Sequence, residues 1–354
     1  MGDHKILVVG GAGYVGSVLV SELLERGYAV RILDRLYYGD DGLQDVRDRV
    51  ELVVDDMRTV GPQVLDGVEA VVNLGGLSND PTAEYNPTAN YEMNTLAAAR
   101  LAEMCEAQGV RRYILASSCS IYDLGVDSEV LDTVQDETAD VNPRTVYSAS
   151  KRAAEKAVLS IVSDQFCPVI LRKGTVCGFS PRMRYDLVLN TFVKDALQKG
   201  HITLYYGGEM WRPIVDVHDV ARAYVACLRA KDEQVRRQIF NFAYRNFRIS
   251  ELGLRVRGAL QEIGMECDVR VDYRYKGVRS YRVSTQKIER VLGVRPTVTV
   301  EESAKVLCEK ISECGCNDFD NPKYYNIRWM RTLEEAHKVI SVTGSVFGGT
   351  DEQA

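Results

Sequence analysis

Tyr147 and Lys151 stand four residues apart at the head of the helix-forming stretch YSASKRAAEKAV, so both side chains fall on one helix face. A phenol beside an ammonium is suited to acid–base work on a hydroxyl. Free tyrosine ionises near ~10, and a neighbouring cation favours phenolate, which brings the base nearer to working pH. Upstream, SSCSIY supplies serine hydroxyls at Ser117, Ser118 and Ser120 that can hydrogen-bond a reacting oxygen. Such a set can take a proton from an alcohol while hydride leaves carbon, provided that a hydride acceptor lies alongside. The same spacing also arises by chance in a chain with 19 tyrosines, as a solvated helix pair. Position along the chain therefore carries the weight.

The elements around the pair supply that position. Short apolar runs alternate with amphipathic helical stretches: Lys5 to Val9, Val15 to Arg26, Ala29 to Leu33, Glu51 to Val54, Ala70 to Leu74, Tyr91 to Gln108 and Tyr113 to Ser117. The rhythm predicts an α/β fold with a doubly wound parallel sheet. A helix from about Val146 to Ile161, which carries the pair, leads into a strand at Pro168 to Leu171. Beyond Pro181 the pattern loosens into a smaller α+β lobe, with a helix at 186–198, a run at 214–217 and a strand at 239–242. We expect a nucleotide-binding domain over 1–180, an interleaved substrate lobe over 181–330 and a loose tail over 331–354.

The string GGAGYVG, Gly10 to Gly16, follows the first strand and opens the first helix. Gly10, Gly13 and Gly16, with Tyr14 and Val15 between them, would bring backbone N–H groups and the positive end of the helix against a pyrophosphate. Asp34 ends the second strand 18 residues after Gly16, where a carboxylate hydrogen-bonds an adenosine ribose 2′-hydroxyl. It would repel a 2′-phosphate, so NAD is favoured over NADP, with Arg35 beside it moderating the preference.

Composition excludes other classes. The 354 residues are 45% hydrophobic and 27% charged with a net charge of −6, against nucleic-acid binding. Nine scattered cysteines suit a reducing, cytoplasmic compartment. The close pair Cys314 and Cys316 lacks partners at metal spacing, so no metal is expected. No apolar run approaches a membrane span.

Together GGAGYVG, Asp34, VDDMR, SSCSIY, YSASK and RPIVDVHDVARAYV resemble the extended short-chain dehydrogenase/reductase family, in its nucleotide-sugar epimerase/dehydratase branch, over about residues 5–310. The resemblance implies a Rossmann domain, tightly held NAD, a nucleotide-diphosphate-sugar substrate and a homodimer through the helices at 91–108 and 146–161. It makes Tyr147 the base, Lys151 its partner and Ser118 the hydroxyl on the sugar oxygen, with Ser117 close to the cofactor. Asp56 and Met57 fall where the family holds adenine, Leu74, Gly75 and Gly76 at the strand end beside the cofactor, and Asn94 where a helix asparagine supports the site. For the sugar nucleotide it points to Asn190, Arg212 and Arg279, and the loop LSNDP brings Ser78 and Asn79 near the substrate. The chain departs from the family at LRKGTVCG, where Thr175 and Cys177 replace the usual Asn and Tyr.

Dehydratases of this kind carry Asp-Glu after the catalytic hydroxyl residue, whereas here Cys119 and Ser120 follow Ser118. Elimination is disfavoured. The expected reaction is C4 epimerisation through a transient keto-sugar. The alternative is net hydride transfer by a dehydrogenase or 4-ketoreductase, and from another class a non-catalytic NAD-binding regulatory module.

Overall fold

The computed structural model describes residues 5–123, 133–141, 143–274 and 279–344. The final glycine-rich stretch around Gly348, expected to be loose, lies outside the described residues. The chain opens with β1 (Lys5–Val9), α1 (Tyr14–Glu25), β2 (Ala29–Asp34), β3 (Val50–Val54) and β4 (Val68–Asn73). Helices α2 (Asp80–Tyr85), α3 (Pro87–Tyr91) and α4 (Ala97–Ala107) lead to β5 (Arg112–Ser118). Next come β6 (Val134–Gln135), α5 (Val146–Ser160), β7 (Cys167–Lys173) and β8 (Thr175–Cys177). The second half contributes α6 (Val188–Lys199), β9 (His201–Tyr205), β10 (Trp211–Asp216), α7 (Val217–Arg229), α8 (Asp232–Val235), β11 (Gln238–Phe242) and β12 (Arg245–Arg248). It closes with α9 (Ile249–Glu262), β13 (Asp268–Asp272), β14 (Arg282–Val283), α10 (Gln286–Leu292), α11 (Val300–Glu313) and α12 (Asn326–Thr343).

Seven strands form one parallel sheet in the order β11-β7-β5-β4-β1-β2-β3. Its central strands read as continuous apolar runs because both faces are covered. Leu19 and Leu23 of α1 with Val220 and Tyr224 of α7 fill one face. Leu101 of α4 with Ala154 and Val158 of α5 fill the other. The strand order reverses between β1 and β4, which opens a crevice at their carboxyl ends. A third core, built from α6, α9 and α11, holds the smaller lobe together. Beside it lie a β12-β10-β8 sheet and a β13-β9 pair.

Three expectations change. The strand at 239–242, placed with the smaller lobe from sequence, pairs with β7 as the edge of the main sheet; an apolar run does not say which sheet receives it. The helix expected over 91–108 is interrupted by a π turn at Glu92–Leu96, which no apolar periodicity signals. Part of the expected loose tail is helix α12, docked where Trp329 Nε1 donates to the Tyr37 carbonyl and the Asn326 amide to Asp186 at 3.1 Å. Polar anchoring of this kind leaves no apolar stripe to read. No helix among the described residues is long and apolar enough to cross a membrane.

Candidate active site

The crevice floor is the turn from β1 into α1. A Cβ at Gly16 would lie 2.2 Å from the Gly10 carbonyl oxygen and 2.7 Å from Gly11 Cα, so only glycine lets the helix start this close to the strand. Gly13 stands at the N-cap position with no side chain over the helix end, leaving the first amides directed at the crevice. Opposite, Gly76 has φ +115° and sits where a Cβ would meet Asn94 Oδ1 at 2.0 Å. This cradle of bare backbone fits a dinucleotide pyrophosphate.

Asp34 completes the cofactor side. Its carboxylate accepts the amides of Ala12 at 3.0 Å and Leu36 at 2.8 Å, which fixes it at the end of β2. Burial raises its pKa above the ordinary carboxylate value, against the pull of those amides. Arg35 turns aside to Asp56 at 2.8 Å and does not neutralise it.

The catalytic candidates come from α5 and β5. Thr145 caps α5 in a reciprocal pair with Ser148, fixing the first turn that carries Tyr147 and, one turn on, Lys151. Tyr147 lines the same cavity wall as Ser118 at the end of β5, and the Ser118 hydroxyl lies close enough to favour the phenolate. Lys151 Nζ stands 5.9 Å from the centre of the Tyr147 ring. The acidic phenol is expected from Lys151 together with the positive nicotinamide ring; the chain's own groups by themselves act in the other direction. Burial, then Asp80, pushes the Tyr147 pKa up, and Arg279, Ser118 and Arg184 only partly offset this. Lys151 is itself lowered to about 7, by burial first and then by Lys173. Burial of the pair thus favours the neutral phenol and the neutral amine over their charged forms.

One cavity of about 490 Å³ brings most of the sequence-derived residues together. Gly10, Gly13, Tyr14, Val15, Gly16, Asp34, Arg35, Asp56, Met57, Leu74, Gly75 and Gly76 line its cofactor end. Ser78, Asn79, Ser118, Tyr147, Lys151, Arg212 and Arg279 line the remainder. Arg279 pairs with Asp80 at 2.8 Å, and Arg212 donates to the Trp211 and Arg279 carbonyls with its guanidinium over Tyr281.

Two expected ligand contacts, Ser117 and Asn190, lie behind the wall, as does Asn94, which supports the backbone there. Ser117 donates to Glu155 at 2.5 Å. Asn94, set by the π turn, donates to the Leu77 carbonyl at 2.9 Å and ties α5 to the cofactor strand through Ser150. Asn190 is fully buried, bridging the Gly178 amide and the Arg184 carbonyl at 2.9 Å each. Polar capacity already spent on backbone is not free for a ligand.

The polar wall residues that sequence reasoning missed include Lys173, Arg182, Arg184 and Asn326. Arg182 lies over the Tyr38 ring and donates to Asn326 at 2.8 Å. Arg184 reaches Ser78 at 3.2 Å and Asp186 at 2.8 Å, and its Nη2 has no partner. The signal was the string SPRMR, two arginines in a short segment leaving the main sheet.

Comparison with known proteins agrees with this geometry. Residues 6–243 match the model of the NAD dependent epimerase/dehydratase family. The chain is 28% identical to UDP-glucuronic acid decarboxylase 1 of Xenopus tropicalis over 235 residues, 64% of this chain and 54% of that protein. It thus spans about half the length of that relative. It is 27% identical to a UDP-glucose 4-epimerase of Corynebacterium glutamicum over 252 residues, 67% of this chain and 74% of the relative. In fold it is similar to the UDP-glucose 4-epimerase of Thermotoga maritima, with TM-score 0.76 and 24% identity over 88% of this chain and 99% of that one. It is also similar to MoeE5, solved with UDP-glucuronic acid and NAD, with TM-score 0.73 and 25% identity over the same shares. The glycine cradle, the Asp34 carboxylate at the end of β2, the Ser118, Tyr147 and Lys151 cluster and the family match over residues 6–243 lead to one conclusion: this chain belongs to the NAD-dependent epimerase/dehydratase family.

Proposed function

We propose that the protein is a nucleotide-sugar epimerase acting at C4 by transient oxidation and return of hydride. The observation that carries this reading is the meeting of Tyr147, Ser118 and Lys151 in one cavity with the glycine turn, with Arg212 and Arg279 in the same wall. Bound NAD supplies the hydride acceptor and, when oxidised, a positive ring that favours phenolate. Ser118 orients the sugar hydroxyl, Lys151 favours the phenolate form of Tyr147, and that phenolate takes the hydroxyl proton. The two arginines suit a diphosphate.

Elimination is disfavoured by the residue next to Ser118. The Cys119 thiol is buried, donates to the Arg172 carbonyl at 3.1 Å, and is pushed up to about 12 by burial. It is no acid for water loss. A homodimer is part of the reading, supported by Tyr91 and Leu96, which stand 49% and 51% exposed beside α4. Nine free cysteines support a reducing, cytoplasmic setting.

The test is a panel of nucleoside-diphosphate sugars incubated with enzyme and followed by mass spectrometry and NMR. Unchanged mass with inverted C4 supports epimerisation. Loss of two hydrogens with NADH formed supports the dehydrogenase alternative, and loss of water or carbon dioxide overturns the epimerase reading. Tyr147→Phe should fold, bind NAD and lose roughly 10²-fold or more in turnover. Wild-type turnover in that variant would end the assignment of Tyr147 as the base, whereas bound NAD with no nucleotide sugar changed, and no loss of function in Tyr147→Phe, would favour the NAD-binding module.

A further inference from the structure

The cavity wall holds a second lysine that the proposed reaction leaves without a role. Lys173 ends β7 in register with Ser118 on β5, and its Nζ donates to the Ser117 carbonyl at 3.1 Å. It lines the same cavity as Tyr147 and Lys151. Among the described residues no carboxylate pairs with either amine. The nearest candidate is Glu155, one turn along α5 from Lys151, and both its oxygens are taken. Oε1 accepts Ser117 Oγ and Arg172 Nε, while Oε2 accepts Arg172 Nη2 and Arg152.

Two ammonium groups on one cavity wall with no paired carboxylate repel each other, and burial costs them hydration; both effects favour release of a proton. Burial, then Lys173, brings Lys151 to about 7, and burial brings Lys173 to about 8. The other groups facing the amines do not cancel this. Glu155 on α5 favours the Lys151 ammonium but is matched by the Arg172 guanidinium on β7, and Cys119 is a buried thiol. Over Tyr147, Asp80 is opposed by Arg279 and Arg184, and the Tyr224 hydroxyl of α7 is buried.

We propose that Lys173 is a positioning residue whose charge makes the Tyr147 and Lys151 pair surrender one of its two protons near neutral pH. The inference rests on the epimerase reading above. The pair with one proton left, shared between phenol and amine, is the form able to accept the proton of a sugar hydroxyl. In the oxidative half the hydroxyl proton passes to Tyr147 and the hydride to NAD, leaving a keto-sugar and a doubly protonated pair. Both return in the reductive half, so nothing is consumed.

The experiment is trace acetylation of the full-length protein across pH, with the Lys151 peptide quantified by mass spectrometry, alongside the pH profile of kcat/KM. Lys173→Gln keeps a donor for the Ser117 carbonyl but removes the charge; Lys173→Arg keeps the charge. In Lys173→Gln the midpoint of Lys151 reactivity and the acid limb of kcat/KM should both rise by about one pH unit or more, the scale of one neighbouring charge. Lys173→Arg should stay at the wild-type midpoint. An unmoved midpoint in Lys173→Gln overturns the proposal, as does absence of Lys151 acetylation below the ordinary lysine range in wild type. The labelling arm needs no turnover, so it stands apart from the Tyr147→Phe test of the reaction itself.

Discussion

Replacing Glu155 by glutamine removes the negative charge from the most enclosed ion pair behind the active site. The Glu155 side chain has 0% exposure and that of Arg172 2%, with contacts of 2.8 Å and 2.7 Å between them. Arg172 also donates to the Tyr122 hydroxyl, and Glu155 accepts Ser117, so the carboxylate fastens α5 to β5 and β7 directly behind the Tyr147 and Lys151 wall. Breaking one partner of such a pair leaves a buried charge uncompensated and costs about 3–5 kcal/mol. Arg152, 28% exposed, adds little. At about 2 °C per kcal/mol for a long chain, Tm should fall by roughly 6–10 °C. The assay is urea unfolding of the variant, with thermal unfolding alongside. Glu155→Met combined with Arg172→Met, which removes both charges, should recover a large part of the loss. A loss below about 1 kcal/mol in Glu155→Gln, the scale of an ordinary hydrogen bond, would refute the reasoning. So would a double variant no more stable than the single one.

Two further outcomes concern the cofactor side. Gly16→Ala places a Cβ 2.2 Å from a backbone oxygen that cannot move aside; NAD binding measured by calorimetry should weaken by at least about tenfold, or 1.4 kcal/mol, and an unchanged affinity counts against the cradle. Asp34→Ser removes a charged acceptor for the ribose hydroxyls, so NAD affinity should fall by roughly 10–150-fold while discrimination against NADP narrows. Equal NAD affinity in that variant would place the adenosine ribose elsewhere.

The parts of the site legible in sequence are those whose geometry is local. GGAGYVG could be read because a strand, a glycine turn and a helix start are contiguous, and YSASK because i and i+4 share a helix face. The missed wall depends on distant partners. Arg182 meets Asn326 across 144 positions, and Ser78 meets Asn326 across 248. The π turn that carries Asn94, whose amide donates to the Leu77 carbonyl, has no sequence pattern of its own. Asn190 is expected at the sugar nucleotide through the family resemblance; only the folded lobe shows its amide committed to the backbone.

By itself the sequence determined the chemical inventory and the main sheet: a glycine turn, an acid at the second strand end, and a phenol, amine and hydroxyl placed to act on one oxygen. Short-range backbone geometry suffices for that. Tertiary structure decided the electrostatic surroundings of the inventory. Burial raises the Tyr147 pKa, and burial together with Lys173 lowers that of Lys151, because desolvation and repulsion depend on which distant segments close over a group, not on its neighbours in the chain.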